Sequence, residues 1–220
     1  MSSSVSFDYA SLSVRFPGLP ATPVILHAFE YARERMPEYL FNHVVRSWIF
    51  AHQLGQLKGW SYDAEVVAVA TLLHDLGLTE HADGPHRFEV DGAAIAVAFA
   101  REHGFDGRRC QLVWDAIALH ATPSIGFLKE PEVALCARAI SVDFGAPDYL
   151  AFEQADIDAI VAAVPRLQLK REFAACLCQI AHTRPETTYD NLIRDFGERY
   201  VPGYQRTSWV DIIAGGPFKE

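Results

Sequence analysis

Three observations in this sequence predict an all-α fold. Apolar residues recur at spacings of three and four along most of the chain, no stretch alternates in the manner of a half-buried strand, and prolines and glycines fall where helices begin and end. Half of the 220 residues are apolar, enough for a full hydrophobic core without disulfide staples. No internal repeat is visible. The expected organisation is an N-terminal arm over 1–21, one helical domain over 22–200 and a C-terminal tail over 201–220.

Composition narrows the partners. The formal charge of −9 argues against a general attraction to nucleic acid or to anionic membranes. No run of about 18 uncharged apolar residues occurs, and the Ser-rich start lacks the basic and apolar regions of a signal peptide. Cys110, Cys136, Cys176 and Cys178 sit in helical-looking segments without a CxxC, as reduced thiols do. The expectation is a soluble cytoplasmic protein acting on a small molecule, with the arm and tail as candidate homo-oligomer contacts.

Residues 1–20 show no sustained periodicity and end in Phe16-Pro17-Gly18-Leu19-Pro20, an arm whose Phe and Leu could dock on the domain. Thr22-Pro23 starts a helix that stops at Met36, before Pro37. A second helix runs from Glu38 to Lys58 and is closed by Gly59. On it His43, Arg46, Ser47, Phe50 and Leu54 share an inward face. A third, capped by Ser61 and ended by Gly77, is apolar nearly all round, which makes it the central helix. It carries His74-Asp75.

The polar loop Thr79 to His86 would overhang that pair. Arg87 opens a fourth helix that is acidic in its first turn and ends near His103-Gly104. Asp106 starts a fifth, carrying Trp114 and His120 and stopping before Pro123. Glu132 to Phe144 forms a sixth with Asp143 in its last turn. Asp156 to Val164, Gln168 to Thr183 and Thr187 to Tyr200 complete the set, with a helical turn expected around Trp209 to Ile213. Trp48, Phe50, Trp114 and Phe144 read as core aromatics.

Two strong metal ligands side by side in an apolar run demand a partner, because burying them unpaired costs several kcal/mol. His43 lies 31 residues before His74 and Asp143 lies 68 after Asp75, so three helices would have to converge. In order, placement and spacing, these residues resemble the HD-domain superfamily of metal-dependent hydrolases over roughly residues 22–150. The resemblance implies an HD-domain helical bundle around a central metal-binding helix, with His43, His74, Asp75 and Asp143 as ligands. Asn42-His43 with Arg46, the run His74 to Thr79, the block Arg87 to Ala93 and Ala118-Leu119-His120 are similar to the cyanamide hydratase-like branch. Leu78 stands where cyclic-dinucleotide enzymes of the superfamily carry a Lys.

The implied cofactor is one divalent metal, Zn first, with Fe, Mn, Co and Ni as alternatives. Such an ion lowers the pKa of water from 15.7 towards about 7, and the activated water adds to a small nitrile such as cyanamide, giving urea. Asp75 serves as ligand and catalytic group, Glu89 or His120 delivers the proton, and Arg46 or Thr79 orients ligands or substrate. Each has a bland alternative. Arg46 could be a helix-surface pair, Glu89 and Asp91 could serve the helix dipole alone, and His120 could be an ordinary helix-end histidine. His81 and His86 are weaker ligand candidates. The alternative reaction is hydrolysis of phosphate monoesters or nucleotides at the same ion, and a third reading is a non-catalytic domain with a structural metal.

Overall fold

The computed structural model describes residues 7–82 and 84–218. The start of the expected arm, Asp83 of the loop and the last two tail residues lie outside the described residues. Among the described residues the chain forms twelve α-helices and no strand, the all-α class that the periodicity predicts. It packs as two compact units, Met1–Leu169 and Lys170–Glu220.

The first unit begins with α1 (Tyr9–Arg15), where the arm was expected to be irregular. Two turns are too short to show a period, but Asp8 and Ser11 form a reciprocal capping box at its start. Leu12, Phe16 and Leu19 are buried, so the arm does dock. α2 (Pro23–Arg35) and α3 (Glu38–Lys58) follow the sequence reading closely, with Gly59 in the left-handed conformation at the end of α3. α3 is buried along most of its length and packs against α4 and α8. That contact is where the core lies.

α4 (Ala64–Leu73) is capped by Asp63 and not by Ser61. The Asp63 carboxylate accepts from the backbone N–H groups of Glu65 and Val66 and also pairs with Arg109. The helix stops at Leu73, which leaves His74 and Asp75 in the turn beyond it and not inside the helix. Leu76–Leu78 continues as a 3-10 turn laid on the start of α5 (Phe88–Glu102). A Cβ on Gly77 would come 1.8 Å from the Phe88 carbonyl oxygen, so this close approach requires glycine there.

α6 (Gly107–Ala118) ends just before His120, and the short α7 (Pro123–Gly126) then carries the chain to α8 (Pro131–Val142). Asp143 is the C-terminal cap residue of α8. α9 (Gln154–Ala163) completes the helices lying wholly in this unit. Trp48 and Phe50 are core as expected, whereas Trp114 and Phe144 are exposed. Phe144 follows the cap residue of α8, where the chain leaves the helix for solvent.

α10 (Leu169–Thr183) leads into the second unit, which contains α11 (Ile193–Tyr200) and α12 (Trp209–Ala214). α11 starts later than the sequence suggests, because Pro185–Thr187 winds as a separate 3-10 turn. None of the four cysteines is in a disulfide. No described helix is long and apolar enough to cross a membrane.

Candidate metal centre

Three elements bring His43, His74, Asp75 and His120 together. α3 presents His43, the end of α4 presents His74 and Asp75, and the turn after α6 adds His120 beside them. All four are buried. One ligand atom each from His43, His74 and Asp75 lies within 4.8 Å of the other two. His43 Nε2 is 3.7 Å, His74 Nε2 3.3 Å and His120 Nε2 3.9 Å from the Asp75 carboxylate.

Helix ends fix two of the rings. His74 Nδ1 is 2.8 Å from the Thr71 carbonyl oxygen and His120 Nδ1 is 2.6 Å from that of Ile117. A carbonyl can only accept, so each Nδ1 carries a hydrogen and each ring turns its Nε2 towards Asp75. The same bonds satisfy carbonyls that the helix end would leave open. This explains why the pair stands just past α4: inside a helix, the Thr71 carbonyl would already belong to the ladder.

Asp143 lies on the other side of the His43 ring. Its Oδ2 accepts from His43 Nδ1 at 2.7 Å and from Arg46 at 2.7 Å. Its Oδ1 accepts from Arg46 Nε at 2.9 Å and from Arg166 at 2.7 Å. The expected fourth ligand is therefore fully engaged with the support of His43, outside the three-residue cluster. Burial raises the Asp143 carboxyl, but hydrogen bonds from Arg46 and His43 outweigh it and hold the group below the usual carboxylate range. Asp75 is likewise raised by burial and pulled down further by the histidines around it, His74 foremost, to about 2. Burial keeps His43 below the ordinary histidine value despite Asp143, and together with His74 it takes His120 to about 4. The cluster thus combines a carboxylate with imidazole nitrogens, the donor set of a divalent cation.

Buried atoms test the fit. Among the described residues, His74 Nε2 and Asp75 Oδ2 are buried and find no hydrogen-bond partner. A buried imidazole nitrogen and a carboxylate oxygen 3.3 Å apart are placed to share a cation between them. The residues present fit a divalent ion.

The other expected residues have definite places. Arg46 is fully buried, and besides Asp143 it donates to the Val164 and Pro165 carbonyls, both at 3.1 Å. It is a clamp within the core and not a helix-surface pair. Buried Glu89 accepts two hydrogen bonds from Arg87, at 3.1 and 2.7 Å. Thr79 donates to the Leu76 carbonyl at 2.7 Å and so closes the 3-10 turn. His86 is exposed and pairs with Asp91, and His81 is exposed, so neither belongs to the cluster.

The family model described as the HD domain matches residues 40–163, more than half of the chain. The chain belongs to the HD-domain family. Members of this family are generally metal-dependent hydrolases, and the cluster of this HD domain lies within the matched residues. A search of the curated proteins found no match to this chain. Sequence reasoning missed one residue, Arg166, which lies just past the matched segment and reaches Asp143 from the loop after α9. Nothing in Val164-Pro165-Arg166 signals it, because the contact spans 23 residues and depends on how α9 packs.

Proposed function

We propose that this HD domain binds one divalent ion through His43, His74 and Asp75 and hydrates a small nitrile-type substrate, cyanamide to urea being the type reaction. Zn is the first choice of metal, with Fe, Mn, Co and Ni as alternatives. When bound, the ion supplies Lewis acidity and lowers the pKa of water to near neutrality.

One observation carries the choice of substrate class. Arg46, the fully buried cation beside the cluster, is engaged by Asp143 and two carbonyls, and Arg87 is engaged by Glu89. A phosphate ester needs cationic groups to receive its oxygens, whereas a small nitrile does not. Arg166, which is 29 % exposed on its side chain, is the observation that favours the phosphohydrolase alternative.

The geometry favours His120 over Glu89 for the proton. Its Nδ1 is held by Ile117, and its Nε2 lone pair stands 3.9 Å from Asp75. Glu89 is occupied by Arg87. Hydration forms a C–O bond from water to the nitrile carbon, converts C≡N to C=N and places the water proton on that nitrogen; tautomerisation of the product gives urea. His120 takes the proton from water and returns it to nitrogen. Asp143, Arg46 and the Thr71 carbonyl hold the two metal-facing imidazoles in place.

The test is urea formation from cyanamide by protein reconstituted with Zn, with Asp75→Ala as control. Turnover that vanishes in the control supports the reading. Absence of turnover with any of the named metals, together with metal-dependent cleavage of phosphate monoesters, would replace it with the alternative.

A further inference from the structure

We infer that Arg166 is a positioning residue of the metal centre, acting through Asp143 to fix the ring of His43 with Nε2 towards the cluster. The inference rests on the metal-binding reading above. Among the described residues the Asp143 carboxylate accepts hydrogen bonds from His43, Arg46 and Arg166. His43 Nδ1 therefore carries the hydrogen, which leaves the lone pair on Nε2, 3.7 Å from Asp75 Oδ2.

Arg46 stands on α3 one turn after His43, so these two donors to Asp143 come from the same helix. Arg166 comes from a different element and uses one nitrogen, Nη1, for both the backbone oxygen of Asp143 at 3.0 Å and Oδ1 at 2.7 Å. Gripping main chain and side chain of one residue restricts its χ angles. It also places a positive charge at the C-terminal end of α8, where the helix dipole favours one.

The segment that delivers Arg166 is held on both sides. Before it, Val164 and Pro165 carbonyls accept from Arg46, and Pro165 also accepts from Asn42 at 2.8 Å. After it, Leu167 and Gln168 both have positive φ, at 47° and 59°. Two successive L-residues in that region are unfavourable, and such a conformation persists where its surroundings over-determine it. This turn follows Arg166 directly, between α9 and α10. Because Arg166 is partly exposed and Arg46 keeps Asp143 paired, removing it separates positioning from folding.

The experiment uses the full chain with Co²⁺ as the probe. Parent, Arg166→Ala and Arg166→Lys are compared by metal-free melting, by Co²⁺ titration followed in the visible spectrum, and by the ¹⁵N signals of His43, which report its tautomer. Arg166→Ala is expected to melt close to the parent, to bind Co²⁺ about tenfold or more weakly, and to show His43 as a mixture of tautomers. Arg166→Lys, which can still donate to Asp143, recovers part of the affinity. Affinity within about twofold of the parent and unchanged His43 signals in Arg166→Ala would overturn the inference while leaving the metal site standing. A parent that binds no Co²⁺ would overturn the metal-binding reading itself. If Arg166→Ala does not fold, Arg166→Gln replaces it, and equal Co²⁺ affinity in the Lys and Gln variants overturns the inference.

Discussion

Replacing Arg46 by Met keeps the apolar stem of the side chain and removes its guanidinium with five donors. Four hydrogen bonds disappear: two to Asp143 and one each to the Val164 and Pro165 carbonyls. Breaking a buried ion pair by removing one partner costs about 3–5 kcal/mol. Pro165 keeps the Asn42 donor, but the Val164 carbonyl is orphaned, which adds about 1–2 kcal/mol. The remaining contacts of Asp143 with His43 and Arg166 return part of the first loss. A net destabilisation of about 3–5 kcal/mol is expected, a large share of the about 5–15 kcal/mol typical of a folded domain. Urea unfolding of the metal-free protein measures it directly. In the double variant Arg46→Met/Asp143→Leu the buried charge goes as well, so the pair should be less destabilised than the sum of the singles. A loss under about 1 kcal/mol for Arg46→Met would refute the clamp, and additive singles would refute the coupling to Asp143.

Three further outcomes follow from the same geometry. Asp143 titrates below its unfolded value of 3.8, so its stabilisation is present above that pH and is lost as the pH falls through the lower folded value. The stability gap between parent and Asp143→Asn should therefore narrow from about pH 6 to about pH 3, and a gap independent of pH would contradict the depressed carboxyl. Gly77→Ala forces a Cβ against the Phe88 carbonyl and should destabilise by about 3 kcal/mol or more; circular-dichroism melting indistinguishable from the parent would mean the turn and α5 are not in that contact. Chelation should lower the melting temperature of the loaded protein, since a ligand at a hundredfold excess over its Kd adds about 2.7 kcal/mol. His74→Ala should abolish that shift, and a chelator effect surviving in it would locate the metal elsewhere.

The fold class and the helix order were legible because burial imposes a period on each segment. α2 and α3 were read nearly to the residue, since Thr22-Pro23 and Gly59 are local stop and start signals that owe nothing to the rest of the chain. α1 and α7 were not legible, because helices of seven and four residues carry no measurable period. The cap of α4 was misplaced by two residues for a related reason: Ser61 and Asp63 are both good caps, and the pairing of Asp63 with Arg109 on α6 favours one over the other.

The sequence by itself determined that His74 and Asp75 need a buried partner, and its resemblance to the HD-domain superfamily implied that His43 joins them. Two ligands in an apolar run cannot be buried unpaired, and the inward face of α3 offers an imidazole. Tertiary structure alone decided what stands around them. Whether Asp143 faces the cluster or the back of His43, whether Arg46 is open or saturated, and whether any third group grips Asp143 are settled by contacts spanning 97, 100 and 23 residues. A carboxylate has only so many lone pairs, and which donors reach them first depends on where α3, α8 and the loop after α9 come to rest. No local pattern encodes that competition.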